Sequence, residues 1–328
     1  MLKELQTYRD AFEQFLSNYP FPQEPTELYE PVKYILNLRG KRFRALFTLL
    51  GSESVGIPVE KAFPAALAIE VFHNFSLVHD DIMDRAPLRR GYPTVHEKYG
   101  INNAILSGDV MLIYCYRILQ QHYDGETYSQ LCKLLTDTAI EVCEGQQYDV
   151  NFEKESKPEI SSYIQMITDK TAVLIGCAIQ FGAIVGESHP MTQMHLYQFG
   201  KNIGIAFQIQ DDILDVFGSQ NSGKMLGGDI VKNKKTYLYL KALELCSESE
   251  KEELYRLYQT EYSTTFENSK KIETVISIFN NSHVRVYATQ LMENYRDLAF
   301  SHLDAAKIDP KFKTIFKNIS EYLLVRDH

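Results

Sequence analysis

The sequence predicts an all-α protein, and three observations carry that prediction. Chain breakers crowd the start and then thin out: Pro20, Pro22, Pro25 and Pro31 punctuate the first segment, and beyond Gly228 there is no glycine and only one proline, Pro310. Apolar residues recur at helical spacing, with Leu67, Val71, Phe75, Val78 and Ile82 forming one stripe and Ala206, Ile209, Ile213 and Val216 another. No segment shows the sustained period-two alternation, flanked by hairpin signals, that marks a strand.

Taken in order, the elements read as follows. Met1 to Leu16 mixes Lys3, Glu4, Arg9, Asp10 and Glu13 with apolar residues at helical spacing, so it reads as a helix and lacks the apolar core of a signal peptide. Pro58, Pro64, Pro87, Pro93, Pro158 and Pro190 space out the middle segments. Gly176, Ala178, Gly182 and Ala183 sit in an apolar stretch and allow helices to approach closely. The breaker-poor tail after Gly228 reads as helices joined by short polar turns, one of them the charged stretch Ser247 to Glu253. With no tandem repeat and no low-complexity tract, the expectation is a single domain spanning residues 1–328.

Composition narrows the function classes. The 45% hydrophobic and 23% charged residues describe a globular chain, and a formal net charge of -9 argues against a nucleic-acid partner or an anionic membrane surface. An anionic ligand must therefore be held by local basic clusters. The 5 cysteines (Cys115, Cys132, Cys143, Cys177, Cys246) have no metal-ligand spacing and read as packed thiols of a cytoplasmic protein. No run of apolar residues approaches the roughly 18 of a membrane span, so stable membrane insertion is not expected.

Two acidic constellations carry chemistry. In His79-Asp80-Asp81-Ile82-Met83-Asp84, Asp80 and Asp84 lie one helical turn apart on one face, with Asp81 beside them. Like charges so placed cost ~0.2–0.5 kcal/mol per pair, and a bound cation removes the penalty. Oxygen ligands suit Mg²⁺, which prefers one or two carboxylates completed by phosphates and water. Taken alone, this motif reads equally well as a solvated acidic helix end. The pattern returns, however, in Asp211-Asp212-Ile213-Leu214-Asp215 on the apolar run Ile203 to Phe217, with Gln208 on the same face. Two such helices facing each other would form an acidic cleft for several Mg²⁺ ions.

Basic groups flank both motifs. Gly40-Lys41-Arg42-Phe43-Arg44 precedes the apolar run Ala45 to Leu50, and Arg89-Arg90-Gly91 follows the first motif. Lys170-Thr171 opens an apolar helix, and Gly223-Lys224 and Lys234-Lys235-Thr236 follow the second motif. Each pair singly is an ordinary surface charge. Together they suit diphosphates met by Mg²⁺ on one side and Lys or Arg on the other. His73, two turns before Asp80, reads either as a ligand-binding group or a packed core histidine; Phe75 reads as core on periodicity; Gly145 to Asp149 reads as a helix end.

The ordered strings GKRFR, LVHDDIMD, LRRG with Thr94-Val95-His96, Gly108-Asp109, GQQYD, DKTA, FQIQDDILD and GGDIVKNKKT resemble the trans-isoprenyl diphosphate synthase family from Gly40 to Thr236. The resemblance implies an antiparallel helical bundle around a central cleft (the isoprenoid synthase type), a homodimer, and three Mg²⁺ ions. It implies that Lys41, Arg44, His73 and Arg90 hold isopentenyl diphosphate. Arg89, Lys170, Thr171, Gln208, Lys224 and Lys234 would hold the allylic diphosphate. Asp80, Asp84 and Asp211 would be the principal metal ligands, supported by Asp81, Asp212 and Asp215. Arg39 and Ala45 depart from the glycine and proline that the family often has there, and Met225 to Gly228 suggests a slightly longer loop.

The activity so implied is ionisation of the allylic diphosphate, attack by the double bond of isopentenyl diphosphate, and loss of a proton to the departing diphosphate. Phe75 and Ser76, just below Asp80 on the same helix, would set product length. A large Phe75 with a small Ser76 points to a C20 product, with C15 the alternative. A terpene cyclase resembles the chain less, because its second metal motif is usually not a second DDxxD. A metal phosphohydrolase would want further histidines, and a non-catalytic synthase subunit would lack one or both acidic motifs.

Overall fold

The computed structural model describes residues 3–155, 158–218, 226–260, 262 and 264–324. Helices account for nearly all the ordered chain: α1 Lys3–Asn18, α2 Thr26–Asn37, α3 Phe43–Ser54, α4 Phe63–Met83, α5 Val95–Tyr99, α6 Ile101–His122, α7 Gly125–Lys154, α8 Ile160–Ile167, α9 Val173–Val185, α10 Pro190–Phe217, α11 Gly228–Val231, α12 Tyr237–Leu245, α13 Glu248–Gln259, α14 Thr265–Asn281, α15 Val284–Ala305 and α16 Pro310–Leu324. A two-residue antiparallel hairpin, β1 Leu88–Arg89 and β2 Tyr92–Pro93, is too short to have shown any alternation in the sequence. Arg90 and Gly91 form its turn with φ of 54° and 81°, the paired positive values that a type I′ turn needs.

The residues divide into two units. The first comprises Met1–Asp137, Cys177–Tyr197 and Ala306–Phe312. At its centre α4 starts with Pro64 in the first turn, where a missing N–H costs nothing, and packs along α3 and α6. Its predicted stripe is buried at Leu67, Val71, Phe75 and Val78. Gly51 of α3 and Gly182 of α9 lie backbone to backbone: a Cβ on Gly182 would press on the main chain of Thr48 and Ser52. Pro31, read as a breaker, lies inside α2 instead.

The second unit comprises Thr138–Gly176, Gln198–Ala305 and Lys313–His328. Its core gathers Ile205, Ala206, Ile209, Ile213 and Val216 of α10 with Leu238, Leu254, Val275, Phe279 and Ala288 of the later helices. Burying each large apolar side chain of this kind contributes ~1.5–3 kcal/mol. The tail after Gly228 is helical as expected, but Ser247 does not begin a turn. Its hydroxyl and the Glu250 carboxylate cap each other's backbone N–H groups, which starts α13, and Thr264 with Glu267 starts α14 the same way.

One helical run, Ile160–Val185, meets the length and hydropathy of a membrane span, which counting uninterrupted apolar residues overlooked. Of its most apolar window, 78% is buried inside the protein, as in a core helix.

Candidate active site

In the first unit, α4 ends at its acidic motif. Asp84 is the C-cap, its N–H donating to Asp80 O at 2.9 Å, so Asp80, Asp81 and Asp84 occupy the last turn. Carboxylates there face the negative end of the helix dipole, which costs ~0.3–1 kcal/mol each and makes the turn a natural cation site. The three do not share one environment. Asp81 is fully buried and accepts from Arg89 Nε at 2.9 and 3.0 Å and from Arg89 Nη2 at 2.5 Å. Asp80 is partly buried, 3.8 Å from the same Nη2, and Asp84 is exposed. Burial pulls the Arg89 pKa down, but Asp81, Asp80 and Asp84 outweigh it and hold the group firmly charged.

Beside this turn stands a basic group built from three segments. Arg44, in the first turn of α3, places Nη1 3.2 Å from His73 Nε2 of α4. Arg90, at the hairpin turn, donates from Nη1 to Leu38 O at 3.3 Å, and its guanidinium lies where a Cβ on Gly40 would stand, 2.9 Å from Nη1. That contact explains the glycine of GKRFR. Burial lowers the Arg44 pKa to about 10, with Glu70 opposing and Arg90 adding to the effect. His73 falls well below its usual value through burial and then the nearby Arg44, Arg90, Arg89 and Arg42, so its imidazole is neutral at physiological pH. Among the described residues, buried Arg44 Nε has no hydrogen-bond partner, as expected of a donor awaiting an anion. Lys41 is exposed at the edge of the group.

Phe75 lies on α4 below the acidic turn, its ring 5.0 Å from His79 and 5.5 Å from Phe72. Ser76 turns its hydroxyl back to His73 O at 2.9 Å, so its small side chain adds no bulk.

In the second unit, Asp211, Asp212 and Asp215 lie in the last turns of α10, again at a helix C-terminus. Asp212 is buried; Tyr163 OH donates to its Oδ2, and Gln208 Nε2 to its Oδ1 at 3.4 Å. Burial foremost, then Asp229 and Asp211, push its pKa up to about 8 against those two hydrogen bonds. Asp215 accepts the Asp229 N–H on Oδ2 at 3.0 Å and the Gly227 N–H on its carbonyl at 2.6 Å. Asp211, like Asp215, is partly exposed.

Lys170 and Thr171 do not open a helix. They sit in a π-helical turn, Thr168–Ala172, between α8 and α9, a local widening often found at functional sites. Gly145 and Asp149 of α7 hold this turn: a Cβ on Gly145 would meet Lys170 Cα at 2.7 Å, and Lys170 Nζ donates to Asp149 Oδ2 at 2.6 Å. The GQQYD string is therefore the interior of α7, which continues to Lys154, and not a helix end. Lys234 lies 3.9 Å from Asp229, and Lys235 donates to Phe152 O and Glu155 O at 3.2 and 2.6 Å. Lys224 lies outside the described residues.

Sequence reasoning gave no role to Glu70, Asp149, Tyr163 and Asp229. Glu70, a lone acid in the apolar run of α4, was the one clear signal. Among the described residues no three acidic, imidazole or thiol groups converge as a closed metal cage. Open carboxylates at two helix ends fit Mg²⁺, which takes much of its shell from phosphate and water.

The family model described as polyprenyl synthetase matches residues 25–279. A geranylgeranyl pyrophosphate synthase of Geoglobus acetivorans is 34% identical over 307 residues, 93% of each chain. A geranylfarnesyl diphosphate synthase of Natronomonas pharaonis is 39% identical over 239 residues, 67% of this chain and 70% of that one. A solved geranylgeranyl pyrophosphate synthase superposes with a TM-score of 0.95 at 42% identity, covering 99% of each chain.

Proposed function

Because the chain belongs to the polyprenyl synthetase family, we propose that it is a short-chain trans-prenyltransferase whose principal product is C20 geranylgeranyl diphosphate. The observation that carries this reading is the pair of carboxylate-rich helix ends, on α4 and α10, each accompanied by its own cations. The relatives named for geranylgeranyl synthesis support the C20 length, as does the bulk of Phe75. Incubation with Mg²⁺, isopentenyl diphosphate and each of dimethylallyl, geranyl and farnesyl diphosphate, followed by chromatography of dephosphorylated products, tests it. A C15 end product from dimethylallyl and geranyl diphosphate, with farnesyl diphosphate left unelongated, would make the protein a farnesyl diphosphate synthase instead.

Arg44, His73, Arg90 and Lys41 hold isopentenyl diphosphate. Neutral His73 offers a hydrogen bond without adding a charge to a crowded cationic group. Lys170, Thr171, Gln208, Lys234, Lys224 and Arg89 hold the allylic diphosphate. Asp80, Asp84 and Asp211 are the principal Mg²⁺ ligands for three ions, with Asp81, Asp212 and Asp215 behind them, engaged by Arg89, by Tyr163 with Gln208, and by the Asp229 N–H. Bound Mg²⁺ supplies Lewis-acid stabilisation of the leaving diphosphate. Lys170 and Lys234 neutralise the same developing charge, and apolar helix walls exclude water from the allylic cation. The diphosphate group released takes the proton, so no side chain is assigned as the base.

Substrate titrations of two variants test the division of labour. Arg44→Ala raises KM for isopentenyl diphosphate, and Lys170→Ala raises KM for the allylic substrate. Equal weakening of both by each variant rejects it. The protein acts in the cytoplasm as a single catalytic domain and a homodimer. The exposed Ile105, Leu106 and Ile113 of α6 form an apolar face suited to a second copy.

A further inference from the structure

We infer that Arg42, which no substrate can reach, is the positioning residue that sets the isopentenyl diphosphate cations; the inference rests on the assignment of Arg44, His73 and Arg90 proposed above. Arg42 is 4% exposed, and every nitrogen of its guanidinium is engaged. Nε donates to Glu13 Oε1 of α1 at 2.9 Å, Nη1 to Glu70 Oε1 of α4 at 2.7 Å, and Nη2 to Leu36 O and to Leu38 O, the latter at 3.3 Å. Its fork therefore ties α1, the end of α2 and α4 together and commits four of its five N–H donors to the protein.

Two consequences follow for the neighbours. The first is geometric. Arg42 is the N-cap of α3 with φ 54° and ψ 26°, a left-handed conformation uncommon for any residue other than glycine. Its carbonyl accepts the Leu46 N–H at 2.9 Å, starting the helix that carries Arg44, while Lys41 precedes the bend. The side-chain fork fixes this bend, and the bend fixes the directions of Lys41 and Arg44.

The second is electrostatic. Glu70 is 1% exposed and is the acid whose charge offsets both Arg44 and Arg90. Arg42, helped by Asn74 Nδ2 at 3.1 Å, engages Glu70 Oε1, so the carboxylate is drawn to Arg42 and not into a direct ion pair with Arg44. Arg44 and Arg90 keep their charge for the diphosphate. A lysine at position 42 keeps a cation but cannot span a fork of carboxylates and carbonyls.

The test compares Arg42→Lys, Arg42→Met and Arg44→Ala with wild type, measuring Tm, kcat and the KM of each substrate, and isopentenyl diphosphate binding by calorimetry without allylic substrate. Phe279→Leu, in the core of the second unit, serves as a destabilised control. In Arg42→Lys, KM for isopentenyl diphosphate rises about tenfold to 100-fold, the upper figure being the cost of a misplacement of order 1 Å, while the allylic KM stays within about twofold. Arg42→Met shows the same split, and the control shows none. If Arg42→Met does not fold, Arg42→Lys decides alone. Equal shifts in both KM values, or an unchanged isopentenyl diphosphate KM in Arg42→Lys, reduce Arg42 to a brace and overturn the inference. Should Arg44→Ala also leave that KM unchanged, the site assignment itself fails, which separates the two outcomes.

Discussion

Replacing Gly145 by alanine tests how the π-turn of Lys170 is held. Gly145 lies inside α7, so helix propensity alone favours the change by ~0.8–1 kcal/mol. The added Cβ, however, would sit 2.6 Å from Asp169 C and 2.7 Å from Lys170 Cα, where ordinary contact begins at 3.4 Å. The obstacle is backbone, so the turn Thr168–Ala172 must retreat by 0.7 Å at that atom (3.4 − 2.7), and further at the Lys170 nitrogen. Overpacking of this kind costs ~1–3 kcal/mol, so the net effect on stability is a loss of ~0–2 kcal/mol, a few degrees in Tm at most. Function is more sensitive: a shift approaching 1 Å in Lys170 pulls it from Asp149 and raises the allylic KM, or lowers kcat, by about tenfold to 100-fold. Steady-state kinetics with each substrate varied in turn, beside a thermal melt, measure both. A Gly145→Ala protein more stable than wild type with unaltered allylic kinetics would refute the argument, because the turn would then not depend on that contact.

Asp80→Ala and Asp211→Ala each remove a proposed metal ligand and relieve local repulsion; condensation falls by at least about 100-fold at limiting Mg²⁺ while the melting temperature holds or rises. Phe75→Ala lengthens the product beyond that of wild type, read by chromatography of the dephosphorylated prenols; an unchanged distribution with lowered stability makes Phe75 plain core. Lys271, buried in α14 and donating to Asn233 Oδ1, has its pKa lowered by burial to about 8. Between pH ~8 and its ordinary value near ~10.5, the unfolded chain holds a proton that the folded one has lost, so wild-type stability gains with rising pH there. Lys271→Met lacks that gain, and melts across pH 7 to 10 compare the two: the advantage of the variant, if any, is greatest below pH ~8 and shrinks above it.

Much of the fold was legible because it rests on periodicity. The stripes on α4 and α10 are buried where their spacing indicates, with Ile82 half-buried at the end of the first, and the tail without glycine is a succession of helices joined by short turns. Failures came where a local signal had two physical meanings. Ser247 to Glu253 is polar enough for a turn, yet its first serine and Glu250 are a capping box, a helix start written in the same residues. Pro31 was read as a boundary, but α2 carries it in its interior. The hairpin at Arg89-Arg90-Gly91 involves two residues per strand, below the length at which alternation can register.

The site was legible as a list of charges but not as a set of partnerships, and the difference is instructive about what a motif encodes. Within DDIMD, Asp81 faces inward to Arg89 while Asp84 is exposed, and within DDILD, Asp212 faces Tyr163 while Asp211 remains partly exposed. The second aspartate of each motif is thus spent on the protein. That asymmetry follows from the helix: Asp81 is offset by 100° from Asp80, onto the side that α4 buries, and Asp212 bears the same relation to Asp211. A repeated DDxxD therefore specifies, at each helix end, one edge of carboxylates directed outward and one carboxylate that anchors the turn from within. Arg89 was visible in the sequence as a charge just after its motif, but only the packing of the hairpin and of α8 shows it turned onto Asp81 and Tyr163 turned onto Asp212. The same reasoning gives a sharper expectation for the two kinds of aspartate. Asp81→Asn and Asp212→Asn leave the outward edges unchanged, so their losses appear partly as lowered stability through Arg89 and Tyr163. Asp84 is exposed at the end of its helix, so in Asp84→Asn the loss appears chiefly in the Mg²⁺ dependence of turnover, with a smaller shift in the melt than in the other two. Titrating Mg²⁺ for all three separates them, and an Asp84→Asn protein with normal Mg²⁺ dependence would dissolve the distinction.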